Sequence, residues 1–116
     1  MGGFFVTSDD EADLDARPVR APQRREDVWA EARNLASELP GWKIVEADGA
    51  RGLLVCDRSG GFLIPTCRIT LTFESPPGIP STTVNARSES RGGIFGTSRD
   101  RARVLELMRL LRRRVE

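Results

Sequence analysis

The sequence predicts an α+β domain, a two-layer sandwich in which a four-stranded antiparallel meander is flanked by an N-terminal and a C-terminal helix. Three observations carry this expectation. Apolar residues recur at helical spacing near residues 24–39 and again over 97–115. Between them, residues 66–74 alternate apolar and polar without a break. Pro40-Gly41, Asp48-Gly49 and Pro76-Pro77-Gly78 then cut the intervening chain into strand-sized pieces.

Residues 1–23 lack apolar periodicity and hold Asp9, Asp10, Glu11, Asp13 and Asp15 with Pro18 and Pro22, so they read as a flexible acidic tail before a domain spanning 24–116. Gly2, Gly3, Phe4, Phe5 and Val6 stand apart, either as a non-native leader or as a short anchor that orders on a partner. The first helix begins near Pro22–Arg24, and Val28, Ala32, Leu35, Ala36 and Leu39 make its apolar stripe. Glu26 and Asp27 suit its N-terminal dipole, and Pro40-Gly41 ends it.

Trp42–Ala47 and Arg51–Asp57 flank Asp48-Gly49, a short-hairpin signal because both turn residues tolerate positive φ. In the third strand Cys67, Ile69, Leu71 and Phe73 share one face; Arg68, Thr70, Thr72 and Glu74 share the other. One face is therefore covered and one is wet. The fourth strand, Thr82–Ser90, turns Val84, Ala86, Ser88 and Ser90 toward the helices and Arg87 outward. The last helix starts at Thr97 or Ser98, with Asp100 in its first turn and Arg112, Arg113 and Arg114 in its last. Val104, Leu107, Met108, Leu111 and Val115 form its inward stripe.

Composition removes many chemistries. There is no His and no Tyr, so imidazole bases, imidazole metal sites and phenol acids are absent. Two Cys cannot build a four-ligand structural zinc site. No catalytic residue, metal site or cofactor is implied. Met1–Thr7 lacks the length and charge of a signal peptide, and no apolar run approaches a membrane span, so a cytoplasmic setting is expected. A net charge of +1 gives no global case for nucleic acid, which is disfavoured as a partner.

Two candidate surfaces remain. In a meander, Trp42 and the loops holding Phe62, Leu63, Ile64, Ile94 and Phe95 share one end of the sheet, where they form an apolar binding patch or fold back as a plug. The loop Gly92–Ser98, with Gly92, Gly93, Thr97 and Ser98 flanked by Arg87, Arg91 and Arg99, has the makings of an anion cradle, or simply turns strand into helix. Cys56 and Cys67 fall as cross-strand neighbours, a redox pair or two buried thiols. The helix arginines form a basic strip, or a solvated face neutralised by Glu106 and the acidic tail.

The segment Val84-Asn85-Ala86-Arg87-Ser88-Glu89-Ser90-Arg91-Gly92-Gly93, leading into Arg101-Ala102-Arg103-Val104, resembles the bacterial and plastid family known as domain of unknown function 1499. Its members carry Arg-Ser-x-Ser-Arg-x-Gly, a short loop, and a helix bearing Arg-Ile or a similar pair. Gly41-Trp42 and Gly61-Phe62 are also similar, and the order of elements agrees over residues 24–116. The matching positions are Arg87, Ser88, Ser90, Arg91, Gly93 and Arg103; Gly96, Ser98 and Asp100 stand where the family has an acidic residue, a glycine and an asparagine. The family has no assigned reaction, so the resemblance implies a fold and a region. From the residues alone, small hydroxyls at Ser88 and Ser90 let the final helix approach closely and can bond its first-turn amides. The expected function is a non-catalytic protein-binding or assembly module, an accessory subunit whose partner is another protein. The alternative is a small anionic or lipid-like ligand held near the Gly92–Ser98 loop.

Overall fold

Strict alternation along residues 67–74 has the structural consequence it should: Cys67, Ile69, Leu71 and Phe73 are buried and their neighbours are not. The computed structural model describes residues 3–59, 66–90 and 96–115, with side chains in the last stretch described from Asp100 onward. The elements are β1 (Gly3–Val6), a 3-10 turn (Leu14–Ala16), β2 (Val19–Ala21), α1 (Arg25–Glu38), β3 (Trp42–Asp48), β4 (Leu53–Arg58), β5 (Cys67–Glu74), β6 (Thr82–Ser90) and α2 (Gly96–Val115). The fold is α+β, with an antiparallel sheet and two helices on it.

The sheet has six strands rather than four, in the order β1-β6-β5-β4-β3, with β2 also on β6. The additions come from the segment expected as a flexible tail. β1 pairs with Arg87–Ser90 and β2 with Thr82–Val84, so the two are halves of one interrupted edge strand. Thr7 bridges the break. Its N–H donates to the Ala86 carbonyl at 3.0 Å, and its hydroxyl accepts from the Ala86 N–H at 3.0 Å, standing in for the carbonyl that the departing backbone removes. The chain then loops over α2, buries Ala16, and returns as β2.

Acidic residues of that excursion meet the arginines of α2. Asp15 reaches Arg112 at 2.9 Å and Arg109 at 3.4 Å, and Glu11 reaches Arg101 at 3.8 Å. On the other flank Arg114 pairs with Glu31 and Glu38 of α1. The basic strip of the helix is thus matched largely by carboxylates of its own chain.

The hairpin between β3 and β4 is longer than the two-residue turn expected. Asp48 stays in the strand and accepts from the Arg51 N–H at 3.1 Å, and positive φ falls on Gly52, at +64°, rather than Gly49. Gly52 is required for a second reason, since a Cβ there would lie 2.6 Å from the Phe73 carbonyl oxygen. On the solvent face a row of alternating charge crosses four strands: Lys43, Asp57, Arg68 and Glu89 are successive register partners. Arg68 and Asp57 form a bidentate pair at 2.8 and 3.1 Å.

The core lies between the sheet and the two helices. Val28, Ala32, Leu35 and Ala36 of α1 meet Val104, Leu107, Met108, Leu111 and Val115 of α2 over Leu54, Ile69, Leu71, Phe73 and Val84. Among the described residues, no helix is long and apolar enough to cross a membrane.

Candidate functional site

Directly opposed residues of antiparallel strands place their side chains on one face, so the register sorts the helix-facing side into rows. At one end Phe73, Val84 and Val19 form an apolar row, and next to it stand Leu54, Leu71 and Ala86. The following row is Ile44, Cys56, Ile69, Ser88 and Phe5. The last is Trp42, Arg58, Cys67 and Ser90. The covered face therefore grades from wholly apolar to markedly polar toward the end where β6 leads on to α2.

α2 returns antiparallel to β6. The Thr82 hydroxyl donates to the Gln23 carbonyl at 2.7 Å, and the Gln23 side chain donates to the Val115 carbonyl at 2.8 Å, fixing the helix C-terminus beside the start of β6. At the other end the Arg101 guanidinium lies 5.8 Å from the ring of Phe5, the register partner of Ser88. Asp100, one residue earlier, is thereby brought to the level of Ser88 and Ser90.

Asp100 and Ser88 are 0% exposed and Ser90 is 9% exposed. Among the described residues, neither carboxylate oxygen of Asp100 and neither serine hydroxyl has a hydrogen-bond partner. The serines do not bond the first-turn amides, contrary to the expectation from sequence. Each such neutral group forfeits about 1–3 kcal/mol, and a carboxylate more. With Arg58 Nε, these three side chains make up the buried side-chain groups without a hydrogen-bond partner among the described residues.

Further along α2, Glu106 gathers three groups. It accepts from the Trp42 indole N–H at 3.4 Å and from Arg103 at 3.2 Å, with Arg58 Nε at 4.0 Å. Arg58 lies 5.9 Å over the Trp42 ring, yet its buried Nε–H has no hydrogen-bond acceptor among the described residues. Trp42 is only 8% exposed and packs mainly into the core. A shallow groove of about 370 Å³ runs outside it, lined by Gly41, Trp42, Lys43, Asp57, Ser59 and Thr66.

The remaining sequence candidates divide clearly. Phe62, Leu63, Ile64, Ile94, Phe95, Arg91, Gly92 and Gly93 lie outside the described residues. Thr97, Ser98 and Arg99 fall within the first turn of α2 rather than before it, and their side chains also lie outside the description. Arg87 sits on the solvent face, 5.0 Å over the Phe4 ring, with the sheet between it and α2. It is therefore no part of a cradle at the helix start. Cys56 and Cys67 are both buried. They are diagonal rather than opposed, since Cys56 faces Ile69 and Cys67 faces Arg58. Burial, then the Asp57 charge, pushes the Cys56 thiol up to about 11, which argues against a reactive thiolate. Among the described residues, no group of three or more His, Cys, Asp or Glu could hold a metal.

Asp100 is the residue that sequence reasoning missed. Its early position in the helix suggested a role toward the dipole. The signal that would have found it is spacing: Asp100, Val104, Leu107, Leu111 and Val115 continue one inward stripe. No family model and no curated protein matches this chain.

Proposed function

We propose that this chain is a non-catalytic binding module that holds a small polar ligand between the first turn of α2 and the polar end of the sheet. The observation that carries this reading is the trio of buried, unpartnered side chains, Ser88, Ser90 and Asp100. Buried polar groups are retained against their desolvation cost where something binds them. The site offers recognition groups without a visible device for activating a nucleophile, as neither serine has a base within hydrogen-bond reach among the described residues. Two of the three residues, Ser88 and Ser90, lie in the segment resembling domain of unknown function 1499, and membership of that family is part of the proposal. A cytoplasmic setting is part of the same proposal.

The test is saturation-transfer NMR against a library of small polar metabolites, comparing wild type with Ser88→Ala/Ser90→Ala. At least one compound should bind wild type and lose most of its signal with the folded double variant. A library without a binder, together with a ligand-free crystal structure showing the trio bonded to protein groups, would end the proposal.

A second reading, an assembly module or accessory subunit, is favoured by Phe4 and Val6. They stand two residues apart on the solvent face of the edge strand, 50% and 43% exposed. Sedimentation of the chain with native lysate, wild type against Phe4→Asp/Val6→Asp, tests it; equal co-migration of the two would remove it.

A further inference from the structure

The geometry points to a ligand bearing a primary ammonium group, with Asp100 as its recognition carboxylate and the Ser88 and Ser90 hydroxyls as its other two acceptors; this rests on the binding reading above. The inventory of unmet groups decides the class. Ionised Asp100 accepts only, with about four lone-pair sites, and each serine adds two lone pairs but one donor. The unmet side-chain atoms of the trio thus offer more acceptor sites than donors. An ammonium has three N–H donors and no acceptor, which matches three oxygen-bearing side chains. A hydroxyl ligand brings a single donor and leaves oxygens unmet. A carboxylate or phosphate brings further acceptors and sets like charge against Asp100.

Charge leads to the same class. A buried carboxylate with no partner is costly, and a bound cation supplies the missing counter-charge in a low-dielectric site. Among the described residues, the arginines on these elements turn elsewhere. Arg101 turns to Phe5 and Glu11, and Arg103 turns to Glu106. Arg58 shares a row with Ser90 but stands two strands away, about 10 Å at ordinary strand spacing, beside Glu106. None of these three forms a hydrogen bond or ion pair with Asp100. The position of Asp100 near the positive end of α2 moderates the cost of the charge without meeting its hydrogen-bonding needs.

The experiment titrates the full chain with three probes of one size, n-butylammonium, n-butanol and butyrate, at constant ionic strength. Amide spectra of wild type and Asp100→Asn are followed. Butylammonium should shift the Ser88, Ser90 and Asp100 amides saturably and bind at least ten times more tightly than either other probe. In Asp100→Asn that preference should disappear. The comparison among probes in wild type stands even if the variant folds poorly. Butanol or butyrate binding at Ser88 and Ser90 as tightly as butylammonium would overturn the ammonium inference and leave the binding reading in place. No response at these residues to any probe would sink both. Butylammonium shifts confined to Asp9–Asp15 would mark surface ion pairing and also overturn the inference.

Discussion

Replacing Asp100 by Asn in the ligand-free protein exchanges a buried carboxylate for a neutral amide of nearly the same size. In wild type both oxygens are without a hydrogen-bond partner and the residue is 0% exposed. The neutral amide is cheaper to desolvate than the carboxylate. Removing one unmet buried group is worth about 1–3 kcal/mol, with a charged group at the upper end. For a domain of this length each kcal/mol moves the melting temperature by about 4 °C, so Tm should rise by about 4–12 °C. Urea unfolding and calorimetry of both proteins at pH 7, without ligand, measure this directly. Stabilisation by a substitution that weakens binding is the signature of a residue kept for function. A loss of 1 kcal/mol or more in Asp100→Asn would refute the reasoning, because it would mean that the carboxylate already makes favourable contacts.

Thr7→Val should cost about 1–3 kcal/mol, because it strands the Ala86 N–H that the Thr7 hydroxyl accepts from. Hydrogen exchange at Ala86 should quicken in Thr7→Val and recover in Thr7→Ser. The Cys56 thiol is raised from 9.0 to about 11 by burial, so the stability it contributes is fully present below pH 9 and is lost as pH rises toward 11. The difference in unfolding free energy between wild type and Cys56→Ala should therefore shrink or reverse between pH 8 and pH 10.5; a constant difference would contradict the assignment. Gly52→Ala should destabilise far more than Gly78→Ala. Both have positive φ, which costs about 1–2 kcal/mol for a side chain. Only at Gly52 does the new methyl meet backbone, the Phe73 carbonyl oxygen, whereas nothing lies within 4 Å of it at Gly78. Urea midpoints of the two variants decide it.

The stripes and the alternation were legible because they are local. Val28, Ala32 and Leu35 on one helix, Val104, Leu107 and Leu111 on the other, and Cys67 through Phe73 each announce a buried face within a few turns or residues. The interrupted edge strand was not, because Gly3–Val6 and Val19–Ala21 are too short to show a period and acquire their meaning from the free edge of β6. Acidic composition then argued for a tail, although Asp15 has its partner Arg112 97 residues away. Asp100 illustrates a different limit. A first-turn acid and an inward-stripe position were both readable there, and only docking of the helix decides that the second prevails. Arg87 failed as a site residue for a related reason, since nearness in sequence to Ser88 places it on the opposite face.

The row Lys43, Asp57, Arg68 and Glu89 has a bearing on how the sheet assembles. A slip of two residues between β5 and β6 keeps every side chain on its proper face, so burial alone would scarcely reject it. Charge does reject it. In the native pairing Arg68 opposes Glu89, but sliding one way would set it against Arg87 and sliding the other way against Arg91. Either mispairing replaces attraction by repulsion between guanidinium groups on adjacent strands. The solvent face, which adds little to the core, thus acts as a check on the order in which the hydrophobic face closes, and raised salt should weaken that check before it weakens the native state.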